Sequence, residues 1–362
     1  MFNFLTLKEE AFGLDINDLS LKIAKLEKKR KGFVLTSFNE TKIPQNIVDG
    51  GVIKDEAALT EIIKSAYHLV KGKKINTKHV VASLPEEKSF LQVIQMPKME
   101  RKELNLAVPL EVENYIPLPI NEVYLDFQVL PPVKDYFNYL EVLIVAMPKK
   151  IVDSYISCFK SAGLFPIVFE VEGEAIARAL VKKQNNPSPL VIIDFGQNNT
   201  NLIVFSGKSI RFTCSIPISS QQLTTTISEN LKVPTREAEK LKIEYGLVEK
   251  KSDKKAEKVS KAITPILDDL AKQIKKYLNF YSDHSSFEYL LPSAEIEKIM
   301  FCGGGSELNG LAEFMSKKLD IAVEIGDPLV NSVILKKARN IKNIPSFTTA
   351  IGLALRDVNN YD

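Results

Sequence analysis

Short apolar runs set between polar turns open the chain. "EAFGLDI", "DLSLKIAKLE" and "GFVLTSFNETKIP" are rich in β-formers and are divided by Asn17-Asp18 and by the basic turn "KKRKG", so three consecutive strands are predicted. In "DEAALTEIIKSAYHLVKG" the period lengthens. Leu59, Ile62, Ile63, Ala66, Leu69 and Val70 recur at helical spacing, with Asp55 as N-cap and Gly72 as stop. "HVVASLP" returns to strand.

Residues 81–166 read as an insert with its own elements. "SFLQVIQMP" is a strand, and "RKELNLAVPLEVENY" a helix bent or interrupted at Pro109. A Pro-bounded connection leads into "VYLDFQVL", then come the strand "YLEVLIVAMP" and the helix "KKIVDSYISCFKSAG" closed by Gly163. "FPIVFEV" and "EGEAIARALVKK" add a strand and a helix. After the polar break "NNPSP" the opening pattern repeats as "PLVIIDF", "NLIVFSG" and "SIRFTCSIPI", again three strands. Helices follow in "SSQQLTTTISENL", in "TREAEKLKIEYG" and near 252–283. The chain then runs through a strand, a glycine turn and a helix in "EIEKIMFCGGGSELNGLAEFMSKKL" to a last helix, "SFTTAIGLALRD".

A meander followed by helices, stated twice, predicts a duplicated α/β fold whose halves start near residues 11 and 190. Two such lobes leave a cleft, a favoured place for ligands. Each repeat opens with a carboxylate at the end of its first strand, Asp15 in "LDINDLSLK" and Asp194 in "IDFGQNNTNL". Tight hairpins present backbone N–H groups to anions, and a carboxylate can hold magnesium through its waters. Asn17, Asp18, Asn198 and Thr200 are short polar residues suited to such loops, although Asn-Asp and Gly-Gln-Asn are also ordinary turn chemistry. "CGGGSELNGL" frees the backbone to lie against a flat or charged ligand before a helix N-terminus. Glu239 and Lys242 share one helical face and could grip a ribose and a base edge or form a plain ion pair.

Composition narrows the field. A formal charge of +3 over 362 residues makes no case for nucleic acid, and no window is long and apolar enough to cross a membrane. Cys158, Cys214 and Cys302 are widely separated, as are His68, His79 and His284, which supports neither a disulfide framework nor a metal cluster. The N-terminus has no secretory pattern, so the expected location is cytoplasmic. Phosphate loops of the G-x-x-x-x-G-K-[ST] and G-x-G-x-x-G kinds are absent. The six lysines between Lys250 and Lys261 fit a solvated helix face or a binding patch.

Taken together, "LDIN…K", "IDFGQNNTNL", "AEKLKIEYG" and "FCGGGSELNGL" resemble the phosphate 1, phosphate 2, adenine-helix and adenosine motifs of the actin-like ATPase superfamily. More narrowly the chain is similar to the PilM family of type IV pilus assembly, related to FtsA, on "SLPEEKSFLQVIQMP", "LEVENYIPLPINEVYLDFQVL", "SIPISSQQLTTTI" and "QIKKYLNFYS". The resemblance implies an actin-like fold of two duplicated lobes around a nucleotide cleft. Residues 1–80 and 167–189 would form the first lobe (subdomain 1A), and 81–166 an inserted, SHS2-type 1C subdomain. Residues 190–362 would form the second lobe, with 2B at about 230–297.

It also implies ATP and Mg as ligands. Asp15, Asn17, Asp18 and Lys22 would serve phosphate 1, and Asp194, Gly196, Asn198 and Thr200 phosphate 2. Gly303, Gly304, Gly305 and Ser306 would hold the adenosine, with Glu239 and Lys242 beside the base, and Asp15 and Asp194 the magnesium. Glu172 or Glu174 falls where related ATPases orient water. Relatives usually carry glycine at Asn17; asparagine tolerates a left-handed turn but its side chain would crowd a phosphate, so binding is expected ahead of turnover. The implied partner is the N-terminal peptide of PilN in a 1A/1C groove, with PilO indirectly and pilus motor ATPases as further contacts, at the inner face of the membrane without insertion. An FtsA-like division protein or a small-molecule kinase of the same superfamily are the alternatives. The first is disfavoured by an end, "GLALRDVNNYD", without an amphipathic tail, and the second by the lack of a nominated substrate base.

Overall fold

The computed structural model describes residues 10–30, 32–131, 138–182, 189–248, 253–285, 296–334 and 343–356. The opening meander is β1 (Phe12–Asn17), β2 (Ser20–Lys29) and β3 (Gly32–Lys42), paired antiparallel in sequence. Along β1 the period of two separates Phe12, Leu14 and Ile16, which enter the main core of the first lobe, from Asp15 on the other face. A two-strand ribbon follows, β4 (Val48–Asp49) and β5 (Val52–Ile53), turning on Gly50 and Gly51 at φ +53° and +71°.

Helix α1 (Glu56–His68) starts as expected, with Asp55 Oδ1 accepting from the Ala58 amide at 2.9 Å. Its end differs from the expectation. Leu69 is the C-cap, and Gly72 lies in the short strand β6 (Lys71–Gly72), which pairs with β3. A Cβ on Gly72 would stand 2.2 Å from the Thr36 carbonyl oxygen, so this glycine serves a close backbone approach and not a helix stop.

β7 (His79–Leu84) joins β1 in parallel, and the chain then leaves the first sheet. β8 (Phe90–Pro97), α2 (Arg101–Val112), β9 (Val123–Val129) and β10 (Tyr139–Pro148) form a separate three-stranded sheet of order β8-β10-β9. One helix covers it through Leu104, Val108 and Val112. α2 runs through Pro109 without the interruption that was one of the two expectations there. The sheet occupies Phe90–Pro148, narrower than the expected 81–166. The reason is packing: α3 (Lys149–Ser161) puts Val152, Tyr155, Cys158 and Phe159 into the first lobe's core. β11 (Phe165–Val171) likewise pairs with β7.

After α4 (Glu172–Leu180) the second lobe repeats the first. β12 (Leu190–Phe195), β13 (Thr200–Ser206) and β14 (Ser209–Ile216) meander, and α5 (Ser220–Leu231), α6 (Thr235–Tyr245) and α7 (Lys254–Ser285) cross over. β15 (Lys298–Cys302), α8 (Leu311–Leu319) and β16 (Ala322–Ile325) complete a sheet of order β14-β13-β12-β15-β16. The first sheet contains the same order as β3-β2-β1-β7-β11, with the same parallel and antiparallel neighbours. The expected lysine run enters α7 at Lys254; its start lies outside the described residues, as do most of "NNPSP" and the last residues of the chain.

One boundary is corrected. The segment after β16 does not stay with the second lobe: β17 (Ser332–Ile334) pairs in parallel with β3, and α9 (Thr348–Ala354) packs through Ala350 and Ile351 against Ala24, Leu26 and Leu35. In exchange α4 sends Ile176, Ala177 and Leu180 onto the second sheet, beside Leu190, Ile192 and Ile203. The lobes are thus cross-braced by helices, leaving the strand ends of both free to form one cleft.

Candidate functional site

Asp15 faces the cleft at 3% exposure, paired in register with Lys22 on β2. Its Oδ1 accepts from the Ser83 hydroxyl at 2.8 Å. Burial pushes its pKa up, against the pull of the Lys22 ammonium and the Ser83 hydrogen bond. Lys22 Nζ donates to Ser20 Oγ at 2.8 Å; that hydroxyl and the Ser20 amide both donate to Asn17 Oδ1, at 2.9 and 3.1 Å. Asn17 ends a strand with an ordinary negative φ, so this hairpin needs no glycine there; the side chain closes its own turn. Asp18 is no donor to phosphate. Its carboxylate accepts from the Gly50 and Gly51 amides at 2.8 and 2.9 Å and from Asn198 Nδ2 of the opposite hairpin at 2.6 Å.

The second hairpin is a longer loop, residues 196–199, between Phe195 and Thr200. The N-terminus of α5 holds it: the Ser220 and Gln221 amides donate to the Gly196 and Gln197 carbonyls, each at 3.0 Å. Asn198 is spent on Asp18, and Asn199 Nδ2 donates to Glu87 at 3.3 Å. Thr200 is fully buried and donates to the Ile218 carbonyl at 2.6 Å, so it is structural and leaves the predicted site. Asp194 is pushed up to about 6, first by burial and then by the Asp15 carboxylate, with Lys22 opposing.

Gly303 sits at φ +81°, and a Cβ there would stand 2.2 Å from Asp194 Oδ1. The glycine turn therefore nests directly on the second carboxylate. Gly305 N–H donates to the Phe195 carbonyl at 2.9 Å. Gly304 is different: it is exposed, and a Cβ would meet nothing nearer than Ser346 Cβ at 3.9 Å. Ser306 is buried and donates to the Gly303 carbonyl at 2.8 Å, so it shapes the turn from behind. Lys242 is buried as well. It pairs with Glu239 at 2.8 Å and donates to Ser220 Oγ and Thr224 Oγ1 at 3.0 and 2.8 Å, stapling α6 to α5. Burial lowers its pKa, and Glu239 opposes this.

These pieces converge on one cavity of about 220 Å³. Asp15, Asn17, Lys22, Asp194, Gly196, Glu239, Lys242 and Gly303 to Gly305, all singled out in the sequence, line it. Asp18 and Asn198 line an adjoining space with Pro85, Glu86 and Glu87. Sequence reasoning missed Glu40, Ser220, Asn343, Ser346 and Thr349 in the main cavity, and Glu86 next to it. Glu86 carried a usable signal, a carboxylate just past the end of β7; its Oε2 accepts from the Gly173 amide at 2.9 Å. The others arrive from remote elements with no local mark.

Of the two glutamates at the head of α4, Glu172 lines the cavity, accepts from Asn201 Nδ2 at 3.3 Å, and is pushed well up by burial and by Asp15 and Asp194. Glu174 does not line it; it is pushed up to about 7 by burial, with Arg178 opposing and Glu170 adding to the rise. The cavity's wall therefore holds Asp15, Asp194 and Glu172 against Lys22, an excess of carboxylate that a hydrated divalent cation fits. Among the described residues no three His, Cys, Asp or Glu side chains form a group that could ligate a metal ion directly.

Two lobes of one strand order, cross-braced and enclosing a glycine-walled acidic cleft, make this an actin-like ATPase fold. The model of the family "Type IV pilus assembly protein PilM" matches residues 13–358, and the chain belongs to that family. It is similar to the solved PilM-PilN type IV pilus biogenesis complex at TM-score 0.81 and 26% identity, over 97% of this chain and 99% of that one. MreB5 of Spiroplasma citri bound to ADP shares the fold at TM-score 0.51 and 12% identity, over 96% and 95% of the two chains. The cell division protein FtsA of Pseudomonas aeruginosa is 24% identical over 55% of this chain; the chain spans about half the length of that curated relative (49%). Among the described residues no helix is long and apolar enough to cross a membrane.

Proposed function

We propose that this chain is a nucleotide-binding scaffold of type IV pilus assembly, taking ATP with magnesium in the cleft and the N-terminal peptide of PilN in a groove of the first lobe and the insert. The observation that carries the nucleotide reading is the convergence of both hairpins, Lys22 and the open face of Gly304 on one cavity. Lys22 is placed to meet phosphate oxygens, while the Gly303–Gly305 backbone offers a flat wall for the nucleoside. Asp15 and Asp194 would hold a hydrated magnesium ion, which would supply neutralisation of phosphate charge. Glu172, which lines the cavity, is the group placed to orient a water; Glu174 is not. Asp18 and Asn198 tie the hairpins to each other and act by positioning.

The peptide reading is supported by family membership and by likeness to a structure of PilM with PilN. The three-stranded unit at Phe90–Pro148 takes the place of the 1C subdomain. PilO, through PilN, and pilus motor ATPases complete the proposed assembly, at the inner face of the cytoplasmic membrane. Titration of purified protein with a fluorescent ATP analogue, with and without magnesium, and separately with a PilN N-terminal peptide, tests both halves. Saturable binding of each is expected. Absence of peptide binding at high micromolar concentration, together with phosphorylation of a small substrate, would replace the scaffold reading with a kinase.

A further inference from the structure

The end of the first sheet opposite the cleft gathers positive charge from segments far apart in sequence. Lys28, Lys29 and Arg30 form the tip of the β2–β3 hairpin, and Lys71, Lys73 and Lys74 follow α1; all six are exposed. They meet through Glu27, which Lys29 and Lys73 both contact, at 3.0 and 2.9 Å. Lys78 extends the patch where β7 begins, its ammonium 4.0 Å from the centre of the Tyr67 ring. The acids these segments add among the described residues are Glu27, so clamped, and Glu10, paired with Lys25. Two large apolar side chains stand out beside this charge. Leu69, 63% exposed, lies two residues before Lys71, and Phe165, 58% exposed, donates its amide to the Lys78 carbonyl.

Cationic residues around protruding apolar ones are the chemistry of a surface that adsorbs to anionic lipid. Lysine, a point charge without the planar fork that grips phosphates and base edges, outnumbers arginine here six to one, which favours a diffuse anionic surface over nucleic acid. On α7 acids are interspersed with the lysines: Glu257 pairs with Lys261, and Asp268 pairs with Lys318 of the neighbouring α8. We infer that this end of the first lobe is a docking surface for an anionic phospholipid bilayer, through Lys28, Lys29, Arg30, Lys73 and Lys74 with Leu69 and Phe165 at the contact. This surface lies at the end of the first sheet opposite the cleft, and it lets the scaffold lie against the membrane directly.

The test is cosedimentation of the full chain with vesicles of phosphatidylcholine alone or with about 30% phosphatidylglycerol, at low and physiological salt. Binding to the anionic vesicles only, weakening with salt, is expected. The variant K28E/K29E/R30E should lower partitioning at least about tenfold. A variant with the same change in net charge on α7, K272E/K275E/K276E, should stay within about twofold, and circular dichroism should show both folded. Equal binding to the two vesicle types overturns the proposal. So do equal losses in the two variants, which would mean diffuse charge, and patch-dependent retention of a single-stranded oligonucleotide without vesicle binding.

Discussion

The two cleft hairpins share a topology and a carboxylate, yet they are closed by different means. In the first, side chains do the work: Asn17 caps the turn, Lys22 and Ser20 extend the chain of donors, and Asp18 is seated on the Gly50 and Gly51 amides. In the second, the backbone does it: α5 holds the loop by its amides, and the glycine turn presses on Asp194. A duplicated fold preserves strand order because the cores demand it. Its loops diverge because any set of donors that satisfies their polar groups will serve. The first hairpin should therefore respond to loss of side chains and the second to added bulk.

The largest effect is expected from bulk at the second. Gly303→Ala combines a positive φ with a 2.2 Å clash on Asp194 and should cost about 3 kcal/mol in denaturant unfolding and abolish nucleotide binding. Gly304→Ala, which meets open space, should leave stability within about 0.5 kcal/mol while weakening nucleotide roughly tenfold. Equal stability losses would mean the turn does not rest on the carboxylate. Next is Lys22→Met in the first hairpin. It strands the buried Asp15 and should cost roughly 3 kcal/mol. Adding Asp15→Asn should restore most of the stability and none of the affinity, measured by the same unfolding and titration.

The pH dependence is smaller. With Asp194 up at about 6, above its ordinary value of 3.8, the folded state holds the proton more tightly than the unfolded one. The metal-free protein therefore loses stability from this group as pH rises from about 4 to 6. Magnesium-dependent nucleotide affinity runs the other way, rising by roughly tenfold between about pH 5 and 7 as the carboxylate becomes able to hold the ion's waters. Asp194→Asn should flatten that profile. The smallest effect is expected from Asn17→Gly. It removes an acceptor used twice and should cost about 1 kcal/mol, with nucleotide affinity changed less than about threefold. A large gain in affinity would show that the asparagine obstructs phosphate after all.

Most elements of the fold were legible, because apolar period and turn residues act locally. Asp55 announced the start of α1, and the repeated meander announced the duplicated sheet. Gly72 misled because a glycine past a helix looks alike whether it ends the helix or lets a strand approach β3. In the cleft, Asp15, Lys22, Asp194 and the glycines of 303–305 were found from their motifs. Thr200 and Ser306 share those motifs but turn their hydroxyls into the backbone behind the cavity, at Ile218 and Gly303.

By itself the sequence determined the strands, the duplication, the two carboxylates and the family, since each rests on residues close together in the chain. Tertiary structure alone decided what is shared between distant segments. It returned β17 and α9 to the first lobe and left the insert a sheet from Phe90 to Pro148. It tied Asp18 to Asn198 across the cleft, and it gathered two basic segments at the far end of the first sheet. Partners for a buried strand edge, an apolar helix face or a charge are chosen among everything the fold brings near, and local pattern carries no record of that choice.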